Sequence, residues 1–190
     1  IKYSAVFSKN DREKLKKSPF LLMLSGGPDS VFLFYKCLEL KEQESISFEV
    51  LHVNHNQRGE ESNSEQIFVK ELCEKHKILC HLESFEFSGN GNFQEEARLG
   101  RLKFAKEHFA NKIVLTAHHQ DDQLETICMR KARGAGIKGM SGLSRWTPWK
   151  SLLLFKPLLS FSKQEILLCL KEQNITFKED SSNAVSYTHL

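Results

Sequence analysis

The chain has 190 residues, 40% of them apolar and 27% charged, and its 27 basic and 24 acidic side chains leave a net charge of +3. That is the make-up of one ordinary globular domain with a real core, with no repeat or low-complexity stretch. No apolar run nears the roughly 20 residues that span a bilayer, which excludes a transmembrane helix and any expected membrane role.

Residues 1–17 are charged throughout and lack the apolar stretch of a signal peptide. The chain also opens on Ile1 rather than Met, as expected of a sequence that starts inside a longer reading frame. In chain order, residues 20–24 form an apolar run that stops at Ser25-Gly26-Gly27, a buried strand entering a loop. A helix is expected over 29–43, a strand over 47–54, and a helix over 60–77 carrying Ile67, Val69, Leu72 and Cys73. A strand over 79–87, a helix over 92–109 and a strand over 112–117 follow. Residues 120–133 read as a helix and are succeeded by a glycine-punctuated loop through Gly142. A strand at 152–154 and a helix over 162–173, with Ser162 as its N-cap, complete the series. Short apolar strands alternating with helices predict an α/β fold, a Rossmann-like parallel sheet with helices on both faces, in one domain over 1–190. Ligands of such sheets bind beyond the carboxyl ends of the strands, and the polar motifs fall at those junctions.

The five cysteines (Cys37, Cys73, Cys80, Cys128 and Cys169) are widely spaced and contain no CxxC pair. They read as reduced thiols of a cytoplasmic protein, and they argue against a disulfide scaffold, a zinc ribbon or a clustered iron–sulfur site. Charge is uneven along the chain. Between Thr126 and Gln164 there is no acidic residue, while Arg130, Lys131, Arg133, Lys138, Arg145, Lys150, Lys156 and Lys163 all fall there, with Trp146 and Trp149 among them. Such a segment suits either a polyanion surface with base-stacking capacity or a solvated basic face.

The sharpest local signal is Leu24-Ser25-Gly26-Gly27-Pro28-Asp29-Ser30, between a strand and a helix. Adjacent glycines let the backbone turn tightly, the helix start offers N–H groups and a positive dipole end, and Ser25 and Ser30 add hydroxyls. It lacks the Gly-Lys-Ser/Thr ending of a Walker A loop and is not the dinucleotide fingerprint. The SGGxDS string resembles the signature of the PP-loop ATP pyrophosphatases, which split ATP into AMP and pyrophosphate to adenylate a substrate. The resemblance implies the adenine nucleotide alpha hydrolase-like fold. It also implies that Ser25, Gly26, Gly27 and Ser30 hold phosphates while Asp29 places Mg²⁺.

Further segments narrow the resemblance to the lysidine synthetases. His52-Val53-Asn54-His55, followed by Arg58-Gly59, is similar to that family's strand end beside the adenosine. Asn92 to Arg98, with Arg101 a turn on, resembles its N-x-E-x-x-A-R element, in which Arg98 would neutralise phosphate or the departing pyrophosphate. His118-His119-Gln120-Asp121-Asp122 with Glu125, and the Arg133-Gly134-Ala135-Gly136 loop, resemble the elements that surround lysine and the reacting nucleotide. His118, Asp121, Asp122, Glu125, Arg133, Gly134 and Gly136 are the substrate contacts so implied. Lys156-Pro157-Leu158-Leu159 carries Lys where the family has Arg, and residues 179–183 match its D-x-S-N element. Residues 184–190 do not continue the family's pattern, so an early end or a foreign tail is expected, and a C-terminal tRNA-binding domain is expected to be missing.

The resemblance implies a ligase that consumes ATP with Mg²⁺ and joins L-lysine to the wobble cytidine of the CAU anticodon of tRNA(Ile). The cytidine is first adenylated, and AMP and pyrophosphate leave. Asp29, Arg98 and Asp122 would carry catalysis, and the base that takes the lysine proton is Asp122, His118 or His119. Trp146 or Trp149 would stack an unpaired base. Alternatives are a 2-thiolating PP-loop enzyme, an ammonia ligase, and a truncated, non-catalytic nucleotide- or RNA-binding module. Oligomeric state is not legible in the sequence.

Overall fold

A six-stranded sheet in the order β3-β2-β1-β4-β6-β5 organises the chain. It is seen in a computed structural model that describes residues 6–17, 19–54, 60–84, 93–109, 112–134, 136 and 141–178. The elements are α1 (Lys9–Leu15), β1 (Phe20–Met23), α2 (Pro28–Glu44), β2 (Phe48–Asn54), α3 (Glu60–Lys75) and β3 (Cys80–Ser84). They continue with α4 (Phe93–His108), β4 (Ile113–Leu115), α5 (Gln120–Ala132), β5 (Trp146–Trp149), β6 (Leu152–Phe155) and α6 (Lys163–Glu172). His55, Arg58, Gly59, Asn92, Ala135 and the elements at 179–190 lie outside the described residues.

The strands alternate strictly between two cores, as a sheet covered on both faces must. Phe20, Leu22, Phe48, Val50, Leu115 and Phe155 face one cluster, shared with α2, α3 and α6 through Val31, Leu33, Val69, Cys73, Ile166 and Leu170. Leu21, Leu51, Val53, Val114, Leu152 and Leu154 face the other, covered by Leu102 and Ala105 of α4. β1 pairs in parallel with β2 on one side and with β4 on the other, Leu21 lying between Glu49 and Val114. Chain order therefore reverses between β1 and β4, which opens a crevice at their carboxyl ends. Among the described residues, no helix is long and apolar enough to cross a membrane.

The sequence reading passed over two elements. α1 is a short charged helix closed by a Ser8–Asp11 capping box. β5 runs antiparallel to β6 at the sheet edge, reached through a two-residue turn with Lys150 at φ 51°. Its Pro148 weakens the strand signal and is tolerated because the strand lies at an edge. Asp11, 2% exposed, joins the two. It accepts from Arg145 Nη2 at 2.7 Å, Trp146 Nε1 at 3.1 Å, Ser8 N at 2.9 Å and Ser8 Oγ at 2.8 Å. Burial alone would raise its pKa, but the hydrogen bonds from Arg145 and Ser8 outweigh burial and hold it below the ordinary value.

Trp146 belongs to this packing and is not an open stacking platform. One face lies 3.9 Å from the Phe155 ring, centroid to centroid, and Lys14 Nζ sits 4.5 Å over the ring. Trp149 packs against the second core, with Lys150 Nζ 4.9 Å from its ring.

Removing one partner of a buried charge pair strands the other, at a cost of about 3–5 kcal/mol. Asp11→Ala is expected to lower the unfolding free energy in urea by about that much, and Asp11→Asn by less, because it keeps an acceptor for Trp146.

Candidate active site at the β1–β4 crevice

The turn out of β1 is built from backbone geometry first. Gly26 lies at φ +96°, which L side chains rarely adopt. A Cβ there would meet Phe68 and Val69 only at 3.5 Å, so torsion and not crowding demands the glycine. Its carbonyl accepts from Lys178 N at 3.0 Å, which ties the late chain to the loop. Gly27 is the extended N-cap of α2, and Pro28 at the helix start needs no donor partner.

Hydroxyls brace the loop from within. Ser30, 5% exposed, donates from Oγ to Gly27 O at 3.0 Å and accepts from Ser25 N at 3.2 Å. Ser25 Oγ, 3.0 Å away, must then supply the proton between the two hydroxyls. Ser30 thus shapes the loop, while Ser25 lies exposed at its mouth. The N–H groups of Asp29 and Ser30, in the first turn of α2, have no carbonyl to meet within the helix. These donors face the dipole-favoured anion position.

His52 on β2 lies behind this turn. Its Nδ1 is 2.9 Å from Leu24 O, so Nδ1 carries the proton and Nε2 is left as an acceptor. That Nε2 is buried without a partner. Burial depresses the His52 pKa, against a smaller opposing effect of the Leu24 hydrogen bond, and keeps the ring neutral. Val53 and Asn54 are buried beside it, Asn54 Nδ2 donating to Gln66 Oε1 at 3.0 Å.

The end of β4 supplies the opposing wall. His119 is the N-cap of α5, taking Asp121 N on Nδ1 at 3.2 Å, while Asp122 Oδ2 accepts from His119 N at 2.7 Å. With Nδ1 accepting, the ring proton sits on Nε2, 3.7 Å from both Asp29 Oδ1 and Asp122 Oδ2. Both oxygens of Asp29 also receive Lys163 Nζ, at 2.8 and 2.7 Å. The two sequence motifs therefore meet, through His119. Lys163 joins them, although the sequence marked it only as part of a basic stretch.

A cationic patch lies on the other side of His118, whose Nδ1 is 2.9 Å from Thr116 Oγ1. Burial lowers the His118 pKa; Asp122 opposes the fall, and Lys156, Arg101 and Arg98 reinforce it. Lys156, 6% exposed, bonds to Thr147 Oγ1 at 2.9 Å and Ser144 O at 3.3 Å, and its pKa is lowered by burial and then by Arg98. Arg101 Nε is buried without a partner, and Arg98 lies exposed beside it.

Asp121 and Glu125 are exposed on α5. Arg133, Gly134 and Gly136 are exposed at its far end, roughly 20 Å from the helix start at 1.5 Å per residue. The structure does not gather these three with Asp122. The chain beyond them returns along α5, Ser141 O accepting from Arg130 and Leu143 N donating to Gln123.

The PP-loop domain family profile matches residues 2–188. Among curated relatives, the tRNA(Ile)-lysidine synthase of Geobacillus kaustophilus is 36% identical over 169 residues, covering 84% of this chain and 36% of that protein. That of Lactococcus lactis is 37% identical over 172 residues, covering 88% and 38%. The chain thus spans little more than a third of the length of these relatives. Among solved structures, the U34-tRNA thiolase NcsA from Methanococcus maripaludis, described with its 4Fe–4S cluster, aligns with a TM-score of 0.72 at 20% identity, over 94% of this chain and 63% of that one. The NH3-dependent NAD synthetase from Campylobacter jejuni aligns at 0.54 and 19%, over 89% and 74%. At these identities the likeness is one of fold.

Gly26→Ala forces an L residue into the left-handed region, and a loss of about 1–3 kcal/mol in unfolding free energy is expected. Urea titration would measure it. The depressed pKa values of His52, His76 and His118 set a pH dependence. Above the ordinary histidine value, folded and unfolded chains are both neutral and the full stability is present. As pH falls from there, the unfolded chain takes up protons first, so stability is lost toward the lower folded values. The thermal midpoint is expected to be lower at pH 5.5 than at pH 7.5. His52→Asn, which removes one of these three groups, is expected to shrink that difference.

Proposed function

The chain belongs to the PP-loop domain family, and on that premise we propose that it adenylates an RNA base with ATP and replaces the adenylate with lysine. The substrate class is the wobble cytidine of the CAU anticodon of tRNA(Ile), and the products are lysidine, AMP and pyrophosphate. The observation that carries this reading is the junction of Asp29 on the phosphate loop with His119 and Asp122 across the crevice. The names of the curated relatives support the same choice. Residues 1–190 act in this reading as one catalytic domain of a cytoplasmic enzyme.

The residues present fit a nucleotide and its metal. The buried acceptor His52 Nε2 needs a donor, and an exocyclic amine of adenine is one. The loop around Gly26 and Gly27 and the first turn of α2 offer donors to the phosphates. Mg²⁺ typically uses one or two carboxylates and fills its remaining positions with water and phosphate oxygens. Asp29, with Asp122 as its neighbour across His119, is such a set. Among the described residues no group of three or more carboxylate, histidine or cysteine side chains is arranged to hold a metal ion by itself. When bound, Mg²⁺ offsets charge on the phosphates.

In the first step the cytidine O2 attacks the α-phosphate and pyrophosphate leaves. The chain contributes loop N–H groups, together with Arg98 and its neighbours Arg101 and Lys156, as fixed positive charge toward the departing oxygens. In the second step the lysine ε-amine attacks C2 and AMP leaves. Asp121, Asp122 and Glu125 supply carboxylates for the ammonium groups, and neutral His118 accepts the amine proton. Arg133, Gly134 and Gly136, at the outer end of α5, lie where the backbone of a large RNA would pass.

The thiolase reading shares the fold, but its chemistry calls for cysteines at the loop. Here Cys37, Cys73 and Cys169 are buried in the core, Cys80 opens β3 at its amino end, and Cys128 is two turns along α5.

Single-turnover AMP release from α-labelled ATP tests the proposal. AMP formation is expected to require both the CAU-anticodon tRNA and lysine, and to fall roughly 100-fold or more in Asp29→Ala. AMP formation indifferent to lysine would overturn the ligase reading.

A further inference from the structure

Three helix N-termini meet at the Asp29 carboxylate. Asp29 lies in the first turn of α2, His119 caps α5, and Lys163 opens α6. Helix N-termini favour anions, so an ammonium on the first residue of α6 stands at the disfavoured end of its helix. Capping does not require it, because Ser162 and Glu165 already close a capping box there. Packing does not require it either: α2 and α6 are joined by buried apolar side chains, and Phe32 lies 5.9 Å from Phe161 just ahead of α6. Yet Lys163 Nζ covers both oxygens of Asp29, at 2.8 and 2.7 Å, on a pair that is only about three-quarters buried.

A compact cation that spans both oxygens of the carboxylate offered for a metal occupies the position the metal would take. Building on the nucleotide reading above, we propose that Lys163 is an exchange residue, holding Asp29 in the nucleotide-free protein and passing to a phosphate oxygen when metal and nucleotide enter together. Lysine suits the task, since its charge sits on a flexible four-carbon stem with three rotatable donors. A divalent cation on Asp29 repels the ammonium, and the polyphosphate bound at the same helix ends receives it. Charge stays matched in both states: carboxylate with ammonium before, carboxylate with metal and ammonium with phosphate after. Metal alone must displace Lys163 with nowhere to send it, and nucleotide alone finds Lys163 engaged. The two ligands are therefore expected to bind cooperatively, and the coupling runs through one side chain.

The test is a double-mutant cycle on ATP binding without metal, read by calorimetry, with circular dichroism confirming that each variant is folded. Asp29→Asn releases Lys163, so metal-free ATP affinity is expected to rise about tenfold, the effect of one charge-assisted hydrogen bond. In a Lys163→Met background the same Asp29→Asn change is expected to give a clearly smaller gain, since it removes a negative charge but frees no ammonium. Lys163→Met alone is expected to weaken ATP binding in the presence of Mg²⁺ and to tighten nucleotide-free Mn²⁺ binding, read by electron paramagnetic resonance. Lys163→Gln serves as the second variant of the cycle should Lys163→Met be unfolded. An equal gain from Asp29→Asn in both backgrounds would overturn the exchange while leaving ATP binding intact. A wild-type protein that binds no ATP, with or without Mg²⁺, would overturn the nucleotide reading and the exchange with it.

Discussion

The peptide around Gly26 must leave β1 and enter α2 within a few residues, and it can do so only with one residue at positive φ. Everything polar in the crevice is referred to that turn. Strands buried on both faces can present functional groups only at their ends, so the steepness of the turn decides how close α2 comes to the end of β1. Ser30 and Ser25 close the turn on its inside, His52 supports Leu24 O from β2, and Lys178 N grips Gly26 O from the far end of the described chain. A loop pinned by β2, by α2 and by the late chain keeps its donors aimed without a ligand. That spares the ordering cost that a slack loop would incur on binding.

Sheet order explains why a second wall faces the first. Because β2 lies on one side of β1 and β4 on the other, the connections diverge, and the turns after β1 and β4 border the same gap. The gap is electrically divided. Asp29 and Asp122 lie on one side of the His118-His119 pair, with three helix N-termini behind them. On the other side are Lys156, Arg101 and Arg98, close enough to press down the His118 pKa. The proposed reaction, which sheds a polyanion and then accepts a cationic amine, calls for both signs of charge in one site, and adjacent histidines divided between the two regions provide the border.

Much of this was legible in the sequence, for definable reasons. Residues 20–24 announce themselves because a strand covered on both faces is continuously apolar, and Ser162 with Glu165 marks a helix start by a local rule. α1 escaped because its buried face consists of Asp11 and Leu15, and a buried aspartate carries no apolar period. β5 escaped because Pro148 and two tryptophans resemble a loop or a nucleic-acid surface until Phe155 is seen stacked on Trp146. At the site, Asp29, His119 and Asp122 could be named from motifs, but the role of Lys163 could not. Its partner is 134 positions away in sequence, and only the fold brings α2 and α6 side by side. Arg133, Gly134 and Gly136 stand apart from Asp122 for the converse reason, since neighbours in sequence are separated by the length of a helix.

The phosphate loop and the sheet do not by themselves choose a chemistry. The thiolase NcsA and the NAD synthetase align over about nine-tenths of this chain while sharing a fifth of its residues or fewer. Here α5 buries none of its residues, and it presents Leu124, Cys128 and Met129 to solvent along with Asp121 and Glu125. Its start is fixed firmly by the capping box and by Gln120 N, which donates to Phe161 O at 2.8 Å. A helix anchored at one end and open along its length can hold a small amine at its root and a macromolecular substrate along its flank. On the proposed reading, substrate choice falls to α5 and activation to the glycine turn it faces.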